Sequence, residues 1–317
     1  MAVLLLAEEH DPSADLMVLT LDARGVEVHR LDTAWFPQSM TLNARHDGDQ
    51  WRGTLRTAHR RVPLDSITAV WYRSPTAYKL PPGLNTAERA HANLEAKFGV
   101  GGVLSSLPAV WVNHPARNAD AAYKPLQLAT AARSGLTVPD TLITNDAEAV
   151  RKFAAEGPTI TKVLGSSSIV ENNVRKIGYT RLLADDDLAD LRGVEVTAHL
   201  FQRWVPKAHE ARIIAVGDHL TTVAIHADST AAHVDWRTDY DHLRYELTTP
   251  PEHVARGIQQ LMHALGLRFG ALDFVIRPDG EWVFLEINPT GQYGWLEHHT
   301  GAPITDHIAD LLTKGTA

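Results

Sequence analysis

The 317-residue chain is 44% hydrophobic and 21% charged, the composition of an ordinary globular protein long enough for about two or three packed units. Its 30 basic and 38 acidic residues give a net charge of −8 with no basic run, which argues against a nucleic-acid or anionic-membrane surface. The absence of cysteine excludes disulfides, thiolate metal sites and any thioester-forming nucleophile.

The apolar opening at residues 3–7 is too short for a membrane span and lacks a cationic leader, so it reads as a first strand of a cytoplasmic protein. Ser13 caps a helix to about residue 24, and Gly25 stops it before a strand at 26–31. Further strands fall at 51–57 and 67–72, the second ending at Arg73-Ser74-Pro75. A helix over 86–107 leads into a strand at 109–112. Gly99-x-Gly101-Gly102 lies in or beside that helix rather than after a strand, so close packing or helix breaking fits it better than a phosphate loop.

Asn113-His114-Pro115 marks a boundary. Beyond it Asn118 caps a short turn ending near Tyr123-Lys124, and Pro125 opens a helix that stops at Gly135. Strands at 136–143 and 159–164 flank a helix over 147–155. In the second strand Ile160, Lys162 and Leu164 share one face. An ammonium in an apolar row either meets an anion or snorkels from an edge. The following Gly165-Ser166-Ser167-Ser168 favours the anion: it is small, donor-rich and suited to close over phosphates as a lid, although a surface turn would look similar.

A strand over 194–205 ends in Gln202-Arg203-Trp204-Val205-Pro206, where the break leaves backbone groups for a purine edge with Trp204 beside it. Strands at 210–216 and 220–225 follow, joined by Gly217-Asp218. Arg212 offers a two-point grip on phosphate or carboxylate, or an ion pair with Glu210 or another neighbour. After a helix over 252–266, residues 270–291 form a hairpin about Arg277-Pro278-Asp279-Gly280. Folding it back sets Asp273 opposite Glu286, with Asn288 on the same face. Facing carboxylates among apolar neighbours are costly, and magnesium bridging to phosphates would resolve the conflict; a pairing with surface Lys or Arg is the plainer reading of either acid alone. A helix over 304–312 closes the chain.

Taken in order, Lys124, Lys162 and its small-residue loop, the 202–205 hinge, Arg212, Asp273 and Glu286-x-Asn288 resemble the ATP-grasp ligases along essentially the whole chain. The resemblance implies an α/β protein with an N-terminal pre-ATP-grasp domain (1–115), a central lobe (116–200) and a C-terminal lobe with the metal site (201–317). It assigns Lys124, Lys162 and Ser167 to the phosphates of ATP, and Gln202, Trp204 and Val205 to adenine. Glu210 falls at an acidic ribose or active-site position, and Asp273, Glu286 and Asn288 hold Mg2+. Within the superfamily, Trp111-Val112-Asn113-His114-Pro115, Asp235-Trp236-Arg237 and the run from Glu286 to Glu297 are closer to the graspetide synthetases. These use ATP to join Asp or Glu side chains of a ribosomally made precursor peptide, leader and core, to Thr, Ser or Lys side chains. By the same resemblance Arg212 sits on the acyl phosphate, Arg237 orients the acceptor or nucleophile, and the enzyme is a homodimer. A local ion pair around a buried indole is the alternative for Asp235-Trp236-Arg237. Three other functions share parts of the pattern: an ATP-grasp ligase of free amino acids or protein C-termini, a nucleotide-binding regulator without catalysis, and a structural α/β protein.

Overall fold

The structure, a computed structural model, describes residues 2–165, 168–171, 174–227, 229 and 234–314. Strand β1 (Ala2–Ala7) is buried along its length, as expected of a strand covered on both faces. Helix α1 (Pro12–Ala23) is capped by Asp11, not Ser13: Asp11 accepts from the backbone N–H groups of Ser13 and Ala14. After β2 (Glu27–Leu31) come three antiparallel strands, β3 (Thr41–His46), β4 (Trp51–Arg56) and β5 (Arg61–Pro63). With β6 (Ile67–Ser74) and β7 (Val110–Val112) the first sheet is parallel, in the order β2-β1-β6-β7. Between them, α2 (Thr86–Ala96) continues through a π-turn at Lys97–Gly101 into α3 (Gly102–Ser105). The glycines there do not end the helical run, and only Gly101 packs on a neighbour: its Cβ would meet Tyr78 Oη at 3.7 Å, whereas one on Gly99 or Gly102 would meet nothing within 4 Å.

Two short helices, α4 (Pro115–Ala121) and α5 (Lys124–Arg133), lead to the middle sheet. Its strands are β8 (Thr141–Thr144) and, after α6 (Ala147–Ala155), β9 (Thr159–Lys162). The hairpin β10 (Ser168–Glu171) and β11 (Val174–Ile177) follows, then β12 (Arg181–Leu182), α7 (Asp185–Ala189) and β13 (His199–Arg203). The order is β12-β9-β13-β8. The strand expected at 136–143 is two pieces. Thr137 bridges to Val283 and accepts from Phe284 N–H, Pro139 interrupts, and only Thr141–Thr144 joins the middle sheet.

The last sheet, β16-β15-β14-β17-β18, is antiparallel and uses β14 (His209–Val216), β15 (His219–Ala227) and β16 (Leu243–Thr248). Helix α8 (Glu252–Leu265) precedes the expected hairpin of β17 (Phe269–Ile276) and β18 (Trp282–Asn288). The hairpin turn closes as its Pro-Asp-Gly signal requires, with Arg277 and Glu281 paired through the backbone and Gly280 at φ +87. Helices α9 (Gly294–Thr300) and α10 (Ile304–Lys314) end the fold.

Packing joins the two ends of the chain. Val3, Leu5, Met17 and Trp71 share one buried cluster with Ile214, Phe269, Ala271, Ile304 and Ile308. The opposite face of the last sheet is covered by α5 and α8 through Leu128, Ile258 and Leu261. Asn113 pins the seam. Its Oδ1 accepts from Arg268 N–H at 2.8 Å and Phe269 N–H at 3.0 Å, and its Nδ2 donates to Phe269 O at 2.9 Å and Pro289 O at 3.0 Å. All of its hydrogen-bonding capacity is spent on backbone at the start of β17 and the end of β18.

Candidate functional site

Across the hairpin Asp273 stands directly opposite Glu286, and Ala271 opposite Asn288. Leu285 is the extra residue of a bulge beside that pair: continuing the turn-side register of Phe274 with Phe284 would set Leu285 opposite Asp273, and the bulge puts Glu286 there instead, with Asn288 two residues on along the same face. The two carboxylates are compensated from other elements. Arg212, cross-strand partner of Asp273 on β14, donates from Nη1 to both of its oxygens at 2.9 and 3.0 Å. Lys124, at the start of α5, lies 2.5 Å from Glu286 Oε2, and Lys162 at the end of β9 lies 4.0 Å from the same atom. Burial alone would raise Glu286, yet Lys162 and Lys124 hold it down at about 2. Burial pushes Asp273 up against the pull of Arg212, and lowers Lys162 against the pull of Glu286.

These groups line one cavity of about 620 Å³, within the range of small-molecule sites. Every sequence-derived site residue among those described lines it: Lys124, Lys162, Gln202, Trp204, Val205, Glu210, Arg212, Arg237, Asp273, Glu286 and Asn288. Ser167 lies outside the described residues. At the hinge after β13, Arg203 N–H and Trp204 N–H are spent on Asp140 O and Pro158 O at 2.8 and 2.9 Å. The next backbone donor, on Val205, makes no hydrogen bond among the described residues. Gln202, 1% exposed, donates to Thr141 Oγ1 at 2.8 Å and keeps its amide oxygen for another donor.

Three features escaped the sequence reading. Lys207 is buried against Glu210 and lies 5.5 Å from the Trp204 ring, so Glu210 has its own partner and Arg212 is left to Asp273. Burial raises the Glu210 carboxyl to about 7 even with Lys207 beside it. The only signal for Lys207 was a lysine in the apolar context Val205-Pro206-Lys207-Ala208. Secondly, Asp235 does two jobs. It holds Arg237 in two-point fashion, Nε to Oδ1 at 2.8 Å and Nη2 to Oδ2 at 2.6 Å, and its Oδ2 accepts Thr180 N–H at 3.1 Å, tying the middle sheet to the Arg237 segment. The local ion pair around the buried Trp236 indole is therefore present, and the pair also lines the cavity. Thirdly, Trp236 packs on Trp295 of α9 at 5.3 Å and on Tyr240, giving that end of the cavity an aromatic wall.

The donor set fits a nucleotide with magnesium. Three of its cations, Lys124, Lys162 and Arg212, are anchored on carboxylates at one end, and a hinge with a spare backbone donor lies at the other. Two carboxylates and an amide are too few for a self-contained metal cage, and among the described residues no group of three or more His, Asp or Glu forms one. They suit a magnesium ion that takes its other ligands from phosphate and water.

The comparisons agree with that chemistry. A family model described as the MvdD pre-ATP grasp domain matches residues 2–119. No curated protein matches the chain by sequence. Among solved structures, macrocyclase MdnC of Microcystis aeruginosa MRC, bound with precursor peptide MdnA, is 30% identical with a TM-score of 0.88, over 99% of this chain and 100% of that one. A RiPP-associated ATP-grasp ligase of Chryseobacterium gregarium, in complex with ADP and a leader and core peptide, is 28% identical over 99% of this chain and 97% of that one, with a TM-score of 0.90. Macrocyclase MdnB of Microcystis aeruginosa MRC is 29% identical over 98% and 99%, with a TM-score of 0.83. Identity of 30% sustained from end to end of MdnC, together with a pre-ATP-grasp domain at the start, means that this chain belongs to the ATP-grasp ligases of the graspetide macrocyclase family.

Proposed function

We propose that the protein activates Asp or Glu side chains of a ribosomally made precursor peptide with ATP and Mg2+, and joins them to Thr or Ser hydroxyls or Lys amines to close macrocyclic esters or amides. The observation that carries this reading is the convergence of Lys124, Lys162, Arg212 and Arg237 on one cavity with Asp273 and Glu286. A carboxylate is a poor electrophile in water, and phosphorylation by ATP converts it into one. The protein supplies position and charge. Lys124 and Lys162 bind the phosphates, Gln202 and the Val205 backbone the adenine, and Glu210 the ribose. Asp273, Glu286 and Asn288 hold magnesium, which neutralises phosphate charge when bound. Arg212 steadies the activated carboxyl and Arg237 orients the peptide.

Supported by the relatives bound to precursor peptide, the same reading gives the chain a peptide partner. It also carries the division into 1–115, 116–200 and 201–317, cytoplasmic residence and a homodimer. Among the described residues no helix is long and apolar enough to cross a membrane. The test combines enzyme, ATP, Mg2+ and a candidate precursor peptide whose C-terminal region is rich in Thr and Asp or Glu, read by mass spectrometry. The expected result is loss of one water per linkage with matching ADP. ADP without water loss, or transfer of free amino acids to an acid, would favour a different ATP-grasp ligase.

A further inference from the structure

The loop that leaves β18 carries a side chain whose orientation is set from the first sheet. Arg73, next to last in β6, is 1% exposed. It donates from Nη1 to Thr290 O at 2.5 Å and from Nη2 to Oε1 of Gln292. The buried carboxylate of Asp11, fixed as the cap of α1, lies 3.4 Å from its Nε. A guanidinium has donors and no acceptor, so the Gln292 amide has one compatible orientation. Its oxygen turns to Arg73 and its NH2 is left over. Gln292 lines the cavity beside Arg212, Arg237 and Trp236, and its backbone carbonyl accepts from Arg212 Nη2 at 3.4 Å. The loop cannot slide back. A Cβ on Gly291 would sit 2.4 Å from Ala271 Cβ and 3.1 Å from Arg212 Nη2.

We propose that Gln292 presents its NH2 to the acceptor carboxylate of the peptide, a third donor beside Arg212 and Arg237, and that Arg73 is the positioning residue that fixes the donor edge toward the cavity. This deepens the ligase reading and rests on it. Two guanidiniums bring charge to a carboxylate. A neutral, directional donor between them discriminates by geometry, and a site built to hydrogen-bond its substrate loses that discrimination when the donor is replaced by an acceptor.

Gln292→Glu separates this role from simple anchoring. Glutamate also accepts from Arg73, so the loop keeps its tether, but the group facing the cavity becomes an anionic oxygen. With the precursor peptide as substrate, Gln292→Glu is expected to keep the wild-type melting temperature and affinity for Mg-ADP within twofold while kcat/KM for peptide falls about fiftyfold or more. Gln292→Met, which removes the donor without adding charge, should cost about tenfold, mostly in peptide KM. Arg73→Met should cost a similar factor, and the double variant no more than either single one, because both remove the same oriented donor. Wild-type kcat/KM in Gln292→Glu, or additive losses in the double variant, overturns the assignment. Wild-type enzyme that forms no linkage sinks the ligase reading itself, and this assignment with it.

Discussion

Replacing Asn113 tests whether one buried amide holds the seam between the first and last sheets. In Asn113→Leu the N–H groups of Arg268 and Phe269 lose their side-chain acceptor, and the carbonyls of Phe269 and Pro289 lose a donor. A buried donor left unpaired costs about 1–3 kcal/mol, so the two N–H groups and the weaker carbonyl losses sum to about 4 kcal/mol. Asn113→Asp is nearly isosteric yet is expected to fare little better at pH 7, because it sets a carboxylate oxygen against two carbonyls at 2.9 and 3.0 Å. The aspartate should then have a raised pKa. Its stability would be greatest below the unfolded value of about 3.9 and decline as pH rises through the higher folded value. Urea unfolding of wild type and both variants at pH 5 and pH 8 reads this directly. A Leu variant within about 1 kcal/mol of wild type, or an Asp variant equal to wild type at pH 8, would refute the accounting. Because Pro289 follows Asn288, loss of the pin should also lower ATP turnover.

Asp273→Ala should cut ADP release with peptide by about a thousandfold while circular dichroism stays native, and turnover within tenfold of wild type would remove Asp273 from the metal set. Gly291→Ala should destabilise by about 1–3 kcal/mol, because its Cβ meets Ala271 at 2.4 Å with no flexible end to give way, and unaltered thermal unfolding would contradict that contact. Glu286 is held at about 2 against an ordinary 4.5, so burial and its cationic neighbours Lys162, Lys124 and Arg237 together leave a net stabilisation on the order of 3 kcal/mol. This is a depressed carboxyl. The stability is present above about pH 4.5 and lost as pH falls toward 2, so wild type should lose its margin over Glu286→Gln across that window. Parallel pH profiles would show that the pairing is absent.

The hairpin was legible because it is local, a Pro-Asp-Gly turn between two β-rich runs that brings the acids roughly together; the bulge at Leu285 that sets Asp273 directly opposite Glu286 left no such signal. Lys162 was legible for a similar reason, as an ammonium that breaks an apolar row. What neutralises the acids was not. Arg212 and Lys124 reach Asp273 and Glu286 across 61 and 162 positions, and no local pattern encodes such a meeting. The Asp235-Trp236-Arg237 triplet could be placed in the site but not resolved between its two readings, since Thr180 arrives from the segment just before β12. Strands β3 and β16 were missed because their faces are half-buried at best. The 136–143 run was over-read because its apolar residues serve two different sheets on either side of Pro139. Trp111 to Pro115 was noticed as a family mark, and within it Asn113 turns out to be a mechanical part.

Arg73 and Asn113 also bear on hybrid enzymes. Swapping the first 115 residues between relatives looks like a natural way to redirect one scaffold toward another's substrate. Here such a graft would also exchange the two side chains that grip the 289–292 segment downstream of the acids. A donor segment carrying arginine and asparagine at these places should give an active chimaera. One lacking either should fold around a loosened catalytic rim, however well its own surface recognises the new cargo.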